Sequence, residues 1–271
     1  MRKTFFLLAA ICIAATLPGQ EIDPKLTEVW EPVPEKITPG ILPFTNAPSD
    51  AIILFDGTGL SQWRKPLVGY GGSMEEVKAV AQKRAALTKY EEKDADWEVK
   101  DGALIVVPGN GHIETRKAFG DIQLHIEWLA PVATDTTKTG QDYSNSGIFL
   151  MGQYEIQVLN TYENPTYSNG QAGAMYKQSI PLVNACRPPG EWQYYDIIFM
   201  APKFGKDGSV IKPATVTAFQ NGILIQNHYE LKGPCIYRGE PSYVPHPEKL
   251  PIILQDHGNR VRFRNIWIRE L

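Results

Sequence analysis

The chain has 271 residues, a formal net charge of −3 and a pI of about 6.0. So small a charge gives no basic surface, and this excludes nucleic acid as the main partner. Beyond the N-terminus, no apolar run reaches the roughly 20 residues that span a membrane. The mature chain is therefore predicted to contain no transmembrane segment.

The N-terminus is typical of a secretory signal peptide. Residues 1–3 supply a basic start, and residues 5–17 form an apolar core that is too short to span as a mature helix. We predict residues 1–20 as the signal peptide, which places the mature protein in the periplasm or outside the cell. The alternative is a lipid anchor on Cys12. It is disfavoured because Ile11 stands where a small residue is expected, and the apolar run continues past it.

Residues 21–50 contain six prolines and no periodic apolar pattern. Such a segment is expected to be extended. It could form an arm laid over the domain or a tether. The favoured interpretation is a tail without a role. Two cysteines remain after signal removal, Cys186 and Cys235. An oxidising compartment permits a disulfide between them, and two buried thiols are an equally good expectation.

From residue 51 to 271 the chain predicts one domain built from short strands. Apolar-polar alternation recurs between turns rich in Gly, Asn and Asp, and Asn221-Gly222 is a strong hairpin signal. The final strand breaks its alternation at residues 266–268, which predicts a bulge or an edge shared by both faces. The predicted strands are 51–54, 97–99, 103–107, 112–115, 122–129, 148–151, 154–159, 192–200, 215–220, 223–231, 251–255 and 262–269.

Residues 74–93 are the exception, because they consist mainly of helix-forming residues with almost no breakers. Met74, Val77, Val80 and Ala81 recur at helical spacing and give a narrow apolar stripe. The pattern predicts an inserted helix on the edge of the domain, with a solvated charged face. The fold predicted from these elements is all-β, a sandwich or jelly roll with one inserted helix.

The strand at 154–159 carries the first functional signal. Tyr154, Ile156 and Val158 alternate with Glu155 and Gln157, so the pleat places the carboxylate and the amide on one face. An acid beside an amide, opposite an apolar face, is typical of a sheet that packs on one side and binds ligand on the other. We place the predicted groove here.

Several motifs in register resemble the 3-keto-disaccharide hydrolase family, which is common among secreted bacterial proteins. The resemblance covers residues 51 to the C-terminus. It implies a concanavalin A-like jelly roll with a concave carbohydrate-binding sheet, and cleavage of glycosides whose sugar is oxidised at C3. The motifs are FDGTGLSQW (55–63), GDIQLHIEW (120–128), NSGIFLMGQYEIQVLN (145–160), GEWQYYDI (190–197), QNGILIQN (220–227) and LQDHGNRVRFRNI (254–266).

The acid count on the groove strand favours that chemistry. Ordinary glycosidases use two carboxylates across the scissile bond, and the similar jelly-roll β-glucanases carry a pattern like E-x-D-x-x-E. Here one acid, Glu155, is followed by amides at Gln157 and Asn160. A ketone at C3 acidifies the C2 hydrogen, so one base can enolise the ring and expel the C1 oxygen, after which water can add.

Glu155 and His257 are the candidate base and acid, in an order that the sequence leaves open; His257 serves equally well as part of a turn. His125 and Glu127 share a strand face and are candidates for the groove or for a divalent cation, although exposed strand residues are the favoured interpretation. No cofactor is predicted firmly. The residues predicted to contact a saccharide are Gln157, Asn145, Gln255, Tyr176, Lys177, Glu127, His125 and Arg264.

Two other functions remain open at this point. A conventional glycosidase would take its second carboxylate from Glu127 or Asp142. A carbohydrate-binding module without catalysis would use the same fold, since lectins share it. All three hypotheses expect a saccharide or glycoside as the partner.

Overall fold

The computed structural model describes residues 23–36, 47–132 and 137–271. The predicted signal peptide lies outside these residues, as does Cys12. Within the described ranges, no helix has the length and apolar character needed to cross a membrane. The elements are strands β1 to β15 and one α-helix, α1, in the part of the chain described.

Most of the strands are short, and twelve of the fifteen overlap a predicted strand, whereas those at residues 63–64, 203–204 and 210–212 lie outside the predicted strands. They are β1 (Ile52–Phe55), β2 (Trp63–Arg64), β3 (Glu98–Lys100), β4 (Ala103–Ile105), β5 (Ile113–Thr115), β6 (Ile122–Leu129), β7 (Ser146–Leu150), β8 (Tyr154–Val158), β9 (Trp192–Met200), β10 (Lys203–Phe204), β11 (Val210–Lys212), β12 (Thr215–Gln220), β13 (Ile223–Glu230), β14 (Ile253–Leu254) and β15 (Arg262–Glu270), with α1 at Met74–Ala85.

Two antiparallel sheets form the sandwich. The larger has the order β13-β12-β9-β6-β15-β4-β3, and β1 also pairs with β15. The smaller has the order β2-β5-β14-β7-β8, while β10 and β11 form a separate hairpin. The fold is therefore a jelly-roll β-sandwich with one helix, and the predicted fold class is confirmed.

Alternation along the strands produces the core. On β6, Leu124, Ile126 and Trp128 point between the sheets, and on β8 the fully buried Tyr154 and Ile156 face them. Each such side chain contributes roughly 1.5–3 kcal/mol through burial. The opposite faces of the same two strands are consequently free for polar residues.

The irregularity predicted near the C-terminus is a bulge in β15. The pairing register of β15 with β6 shifts between Arg264 and Trp267, and Asn265 adopts a φ of 44°. This extra residue returns Ile266 and Ile268 to the core side, where both are buried. The bulge prediction is confirmed.

The helix is shorter than predicted, so residues 86–93 correct the range 74–93. Helix α1 begins after Ser73, whose hydroxyl accepts the amide of Glu76, and ends at Ala85. Beyond it, Lys93 accepts the amide of Lys65, which draws the chain out along β2. Tertiary pairing overrides helix propensity there.

The two remaining cysteines are free thiols. Cys186 and Cys235 are both buried and form no disulfide. Burial raises the pKa of each thiol, so both stay protonated at neutral pH.

Candidate active site

A cavity of about 810 Å³ opens on the face of the smaller sheet that points away from the core. Its floor consists of side chains that alternate with core residues on β7 and β8. The volume is in the range of small-molecule sites and suits one or two sugar rings. The lining residues are Glu28, Gly69, Tyr70, Gly72, Glu76, His112, Gln141, Asp142, Asn145, Phe149, Glu155, Gln157, Tyr167, Tyr176, Cys235, Tyr237, Gln255 and His257.

Glu155 lies at the floor of this cavity and is 5% exposed. No described residue donates a hydrogen bond to its carboxylate. Burial alone raises the pKa of Glu155 to about 8. A carboxyl group with this pKa can take up or release a proton near neutral pH, as a catalytic acid or base must.

The carboxylate owes its position to a glycine on the neighbouring strand. Gly147 of β7 lies next to Glu155, and a Cβ atom there would overlap Oε1. The same Cβ would stand 3.0 Å from the Phe149 ring and 3.0 Å from the carboxyl carbon. Because Gly147 has no side chain, the carboxylate of Glu155 can occupy the space that a Cβ atom would fill.

Beside the carboxylate, three amide side chains form a chain of hydrogen bonds. Gln157 Nε2 donates to Asn145 Oδ1 at 2.8 Å, and Asn145 Nδ2 donates to Gln141 Oε1 at 3.3 Å and to the Gln141 backbone carbonyl at 2.9 Å. These bonds fix the amides as a polar wall for hydroxyl groups. The structure therefore brings the predicted contacts Asn145 and Gln157 together with Glu155.

Gln255 reaches the cavity from the end of β14. Its Nε2 donates to the Tyr70 hydroxyl at 2.6 Å, while its buried Oε1 has no hydrogen-bond partner among the described residues. Tyr70 is held by stacking on Phe149, with ring centroids 4.1 Å apart. A buried acceptor without a partner costs free energy until a ligand donor reaches it.

His112 is a cavity residue that sequence reasoning missed. Its Nδ1 accepts the backbone amide of Asp256 at 3.0 Å, so Nε2 carries the proton when the ring is neutral. Burial lowers the pKa of His112, and the charge of nearby His257 lowers it further, against the opposing effect of Asp256. His112 therefore presents a neutral N–H donor at the cavity. Its partner is 144 residues away along the chain, and no local pattern reveals such a contact.

His257 lines the cavity at its rim and is solvent-exposed. The turn around it is built by Asp256, whose carboxylate accepts the amides of Gly109, Gly111 and Gly258. The turn interpretation is confirmed by these bonds, whereas the role of His257 as an acid stays a prediction. Asp256 organises the turn, and His257 is presented to the cavity by it.

A tyrosine wall closes one side. Tyr167 and Tyr176 share a hydrogen bond of 2.8 Å between their hydroxyls, and both line the cavity with Tyr237. Burial raises the pKa of Tyr167 and Tyr176, so both stay neutral. Lys177, predicted as a saccharide contact, is not among the lining residues. Its ammonium group instead donates to the carbonyls of Pro24 and Tyr237.

His125, Glu127 and Arg264, also predicted as saccharide contacts, lie away from this cavity. They stand on the outer face of the larger sheet, because β6 and β15 belong to that sheet and not to the one bearing Glu155. Arg264 Nε donates to Glu127 at 2.6 Å. The predicted grouping of these three with Glu155 is corrected by the two-layer topology.

The outer cluster has its own electrostatics. Burial lowers the pKa of His125, but the hydrogen bonds that the ring donates to the carboxylates of Asp196 and Glu127 outweigh burial and raise it overall. The pKa of Glu127 falls to about 2, because hydrogen bonds from His125, Asn265 and Arg264 outweigh its burial. Across residues 23–36, 47–132 and 137–271, no three His, Cys, Asp or Glu side chains converge to hold a metal ion.

Residues 50–269 match the model of the 3-keto-alpha-glucoside-1,2-lyase-like domain. The chain belongs to this family. The family resemblance inferred from the motifs is confirmed, and it supports a carbohydrate-active enzyme. No curated protein gives a significant match.

Solved structures agree with the family assignment. A proposed glycosyl hydrolase from Parabacteroides distasonis is 46% identical, with a TM-score of 0.71, over 91% of this chain and 96% of that one. A second proposed glycosyl hydrolase from the same organism is 17% identical, with a TM-score of 0.52, over 82% of this chain and 94% of that one. The second comparison supports the fold alone.

Proposed function

We propose that this member of the 3-keto-alpha-glucoside-1,2-lyase-like family cleaves 3-keto-glycosides by elimination across C1 and C2. The observation that carries the proposal is Glu155. It is a buried carboxyl group on the cavity floor that has no hydrogen-bond partner among the described residues and a pKa raised to about 8. Such a group is suited to removing one proton from carbon.

The chemical step balances with one base and one acid. Glu155 takes the C2 proton, and the electron pair of that bond forms the enolate of the C3 ketone. The enolate then reforms the C3 carbonyl while a double bond forms between C1 and C2 and the C1–O bond breaks. The leaving oxygen takes a proton from an acid. Addition of water to the product would complete a net hydrolysis.

His112 and Gln255 supply what the enolate and the sugar hydroxyls require. The neutral His112 offers an N–H donor, and a donor placed where negative charge develops lowers the barrier. A neutral donor is preferable to a cation because it does not protonate the enolate oxygen completely. The buried Oε1 of Gln255 is suited to accept a sugar hydroxyl.

Stereochemistry assigns the remaining roles. In an α-glucoside chair, the C1 oxygen and the C2 hydrogen point to opposite faces of the ring, so base and acid stand on opposite faces. Glu155 is at the buried floor and His257 at the exposed rim, where a leaving sugar would contact solvent. We therefore assign Glu155 as the base and His257 as the acid.

The deciding experiment compares a 3-keto-α-disaccharide with its unoxidised parent. The purified protein should convert only the ketone and should release an unsaturated 3-keto product, followed by mass spectrometry and near-ultraviolet absorbance. Cleavage of both compounds at equal rates would establish a conventional glycosidase. Cleavage of neither, with saccharide binding intact, would establish a binding module.

Paired variants test the assignment of the base. Glu155→Gln should keep the fold and lower kcat by at least ~100-fold, as loss of a general base does. Asp142→Asn is the matched control, because Asp142 lines the same cavity but is exposed. An equal loss in both variants would instead indicate the two-carboxylate mechanism.

A further inference from the structure

The N-terminal arm, residues 23–36, forms part of the cavity wall although the family match begins only at residue 50. Glu28 lines the cavity, and Trp30 stands beside it with 54% of its surface exposed. We propose that this arm carries a binding subsite for the leaving saccharide of the substrate. The inference rests on the proposed elimination for the identity of that ligand.

The arm is fixed to the domain by a series of hydrogen bonds. Val29 donates its amide to Asn169 Oδ1 at 3.0 Å, and its carbonyl accepts the amide of Ser168 at 2.7 Å. Ser168 Oγ donates to the Trp30 carbonyl at 2.7 Å, and Asn169 Nδ2 donates to the Thr27 carbonyl at 3.1 Å. Because Ser168 and Asn169 are buried, their bonds to the arm are protected from water.

Lys177 joins the arm to the tyrosine wall. Its Nζ donates to the Pro24 carbonyl at 2.6 Å and to the Tyr237 carbonyl at 3.0 Å. The same ammonium group lies 4.8 Å from the Tyr237 ring centroid and 5.5 Å from that of Tyr167. Lys177 is therefore a positioning residue, which holds the arm against the cavity without touching the substrate.

The exposed groups of the arm match the chemistry of a neutral sugar. One oxygen of Glu28 accepts the indole N–H of Trp30 at 3.3 Å, and the other makes no bond to a described residue. That oxygen can accept hydrogen bonds from sugar hydroxyls. The Trp30 ring, held edge-on to Tyr167 at 6.3 Å, offers an aromatic face to the apolar face of a sugar.

Two substrates separate the arm from the reaction centre. A 3-keto-α-disaccharide occupies the leaving-group subsite, and methyl 3-keto-α-glucoside leaves it empty. Glu28→Gln and Trp30→Ala should each raise KM for the disaccharide about tenfold, with kcat nearly constant. Both variants should stay within about twofold of wild type on the methyl glycoside.

Glu31→Gln is the control, since Glu31 is exposed on the same arm and bonds only within it, to the Val33 amide. It should behave as wild type on both substrates. Equal losses on both substrates in Glu28→Gln or Trp30→Ala, or no change on the disaccharide, would overturn the subsite. Lys177→Met tests whether Lys177 holds the arm against the cavity. It should raise KM for the disaccharide and speed amide hydrogen exchange at residues 25–30, whereas unchanged exchange would refute its role.

The proposed function can fail without leaving the subsite untested. If wild type converts neither ketone, binding of the unoxidised disaccharide is measured by calorimetry. Weaker binding to Glu28→Gln and Trp30→Ala, with normal binding to Glu31→Gln, would support the subsite. Equal binding to all four proteins, or none to wild type, would overturn it.

Discussion

Gly147→Ala tests the placement of Glu155 without removing the carboxyl group. The added Cβ would stand 3.0 Å from the Glu155 carboxyl carbon and 3.0 Å from Phe149 Cε2, and it would overlap Glu155 Oε1. Carbon atoms prefer a separation of about 3.5–4.0 Å. Relief of the overlap therefore displaces the carboxylate by about 1 Å.

A displacement of that size has a predictable effect on rate. Misplacing a reacting group by about 1 Å costs on the order of 100-fold, which corresponds to about 2.7 kcal/mol of barrier. We expect kcat on the 3-keto-disaccharide to fall by this factor in Gly147→Ala. Overpacking should also cost about 1–3 kcal/mol of folding free energy, which denaturant unfolding measures.

Two controls isolate the cause. Gly59→Ala should leave rate and stability unchanged, because a Cβ at Gly59 meets nothing within 4 Å. In a Glu155→Ala background the overlap with the carboxylate disappears, so Gly147→Ala should cost clearly less stability than it does in wild type. Wild-type kcat in the folded Gly147→Ala protein would refute the placement of the base.

Three further predictions follow from the electrostatics of Glu155 and from the position of Glu127 on the larger sheet. If Glu155 is the base, kcat/KM should rise with pH and level off above about 8; a fall through pH 8 would make Glu155 the acid. The pKa of Glu155 in the folded protein is about 8, above the value of 4.5 expected in the unfolded chain. Protonated Glu155 therefore makes its full contribution to stability only below about pH 4.5, and this contribution is lost as the pH rises to about 8. The unfolding free energy of Glu155→Gln, relative to that of wild type, should accordingly increase between pH 5 and pH 8 by at most about 4 kcal/mol. If the difference between the two proteins is the same at both pH values, the burial of an ionising group at this position is contradicted. Finally, Glu127→Gln should keep kcat/KM within about twofold on the 3-keto-disaccharide, because Glu127 lies on the other sheet; a 100-fold loss would place it in the active site.

The alternation of apolar and polar residues predicts the strands, because within each strand the apolar residues mark the face that is buried. The alternation of Tyr154, Ile156 and Val158 with Glu155 and Gln157 is sufficient to place the carboxylate on the open face of a sheet. The same alternation on β6 predicts that His125 and Glu127 share a face, and they do. The alternation does not predict which of the two sheets a strand joins.

Contacts between distant segments account for the remaining differences. The backbone amide of Asp256 fixes the tautomer of His112, and the carbonyl of Pro24 accepts a hydrogen bond from the ammonium group of Lys177. The partners are separated by 144 and 153 residues, respectively. Each contact changes the role that a residue's type alone would suggest, and each depends on how loops meet after the sheets have formed.

The unusual feature of the site is that its central acid, Glu155, has no hydrogen-bond or ion-pair partner among the residues that the structure describes. The other buried acids described have partners: Glu127 is bonded by Arg264, and Glu114 by Arg64 at 2.9 Å. A buried carboxyl group without a partner is costly to ionise, so folding alone does not favour it. Its surroundings are a glycine that makes room, amides that bond to each other, and a tyrosine that bonds to Gln255. Under the proposed function, an acid that receives no hydrogen bond from a described residue is matched to a substrate that supplies a proton from carbon, as a 3-keto-glycoside would at C2.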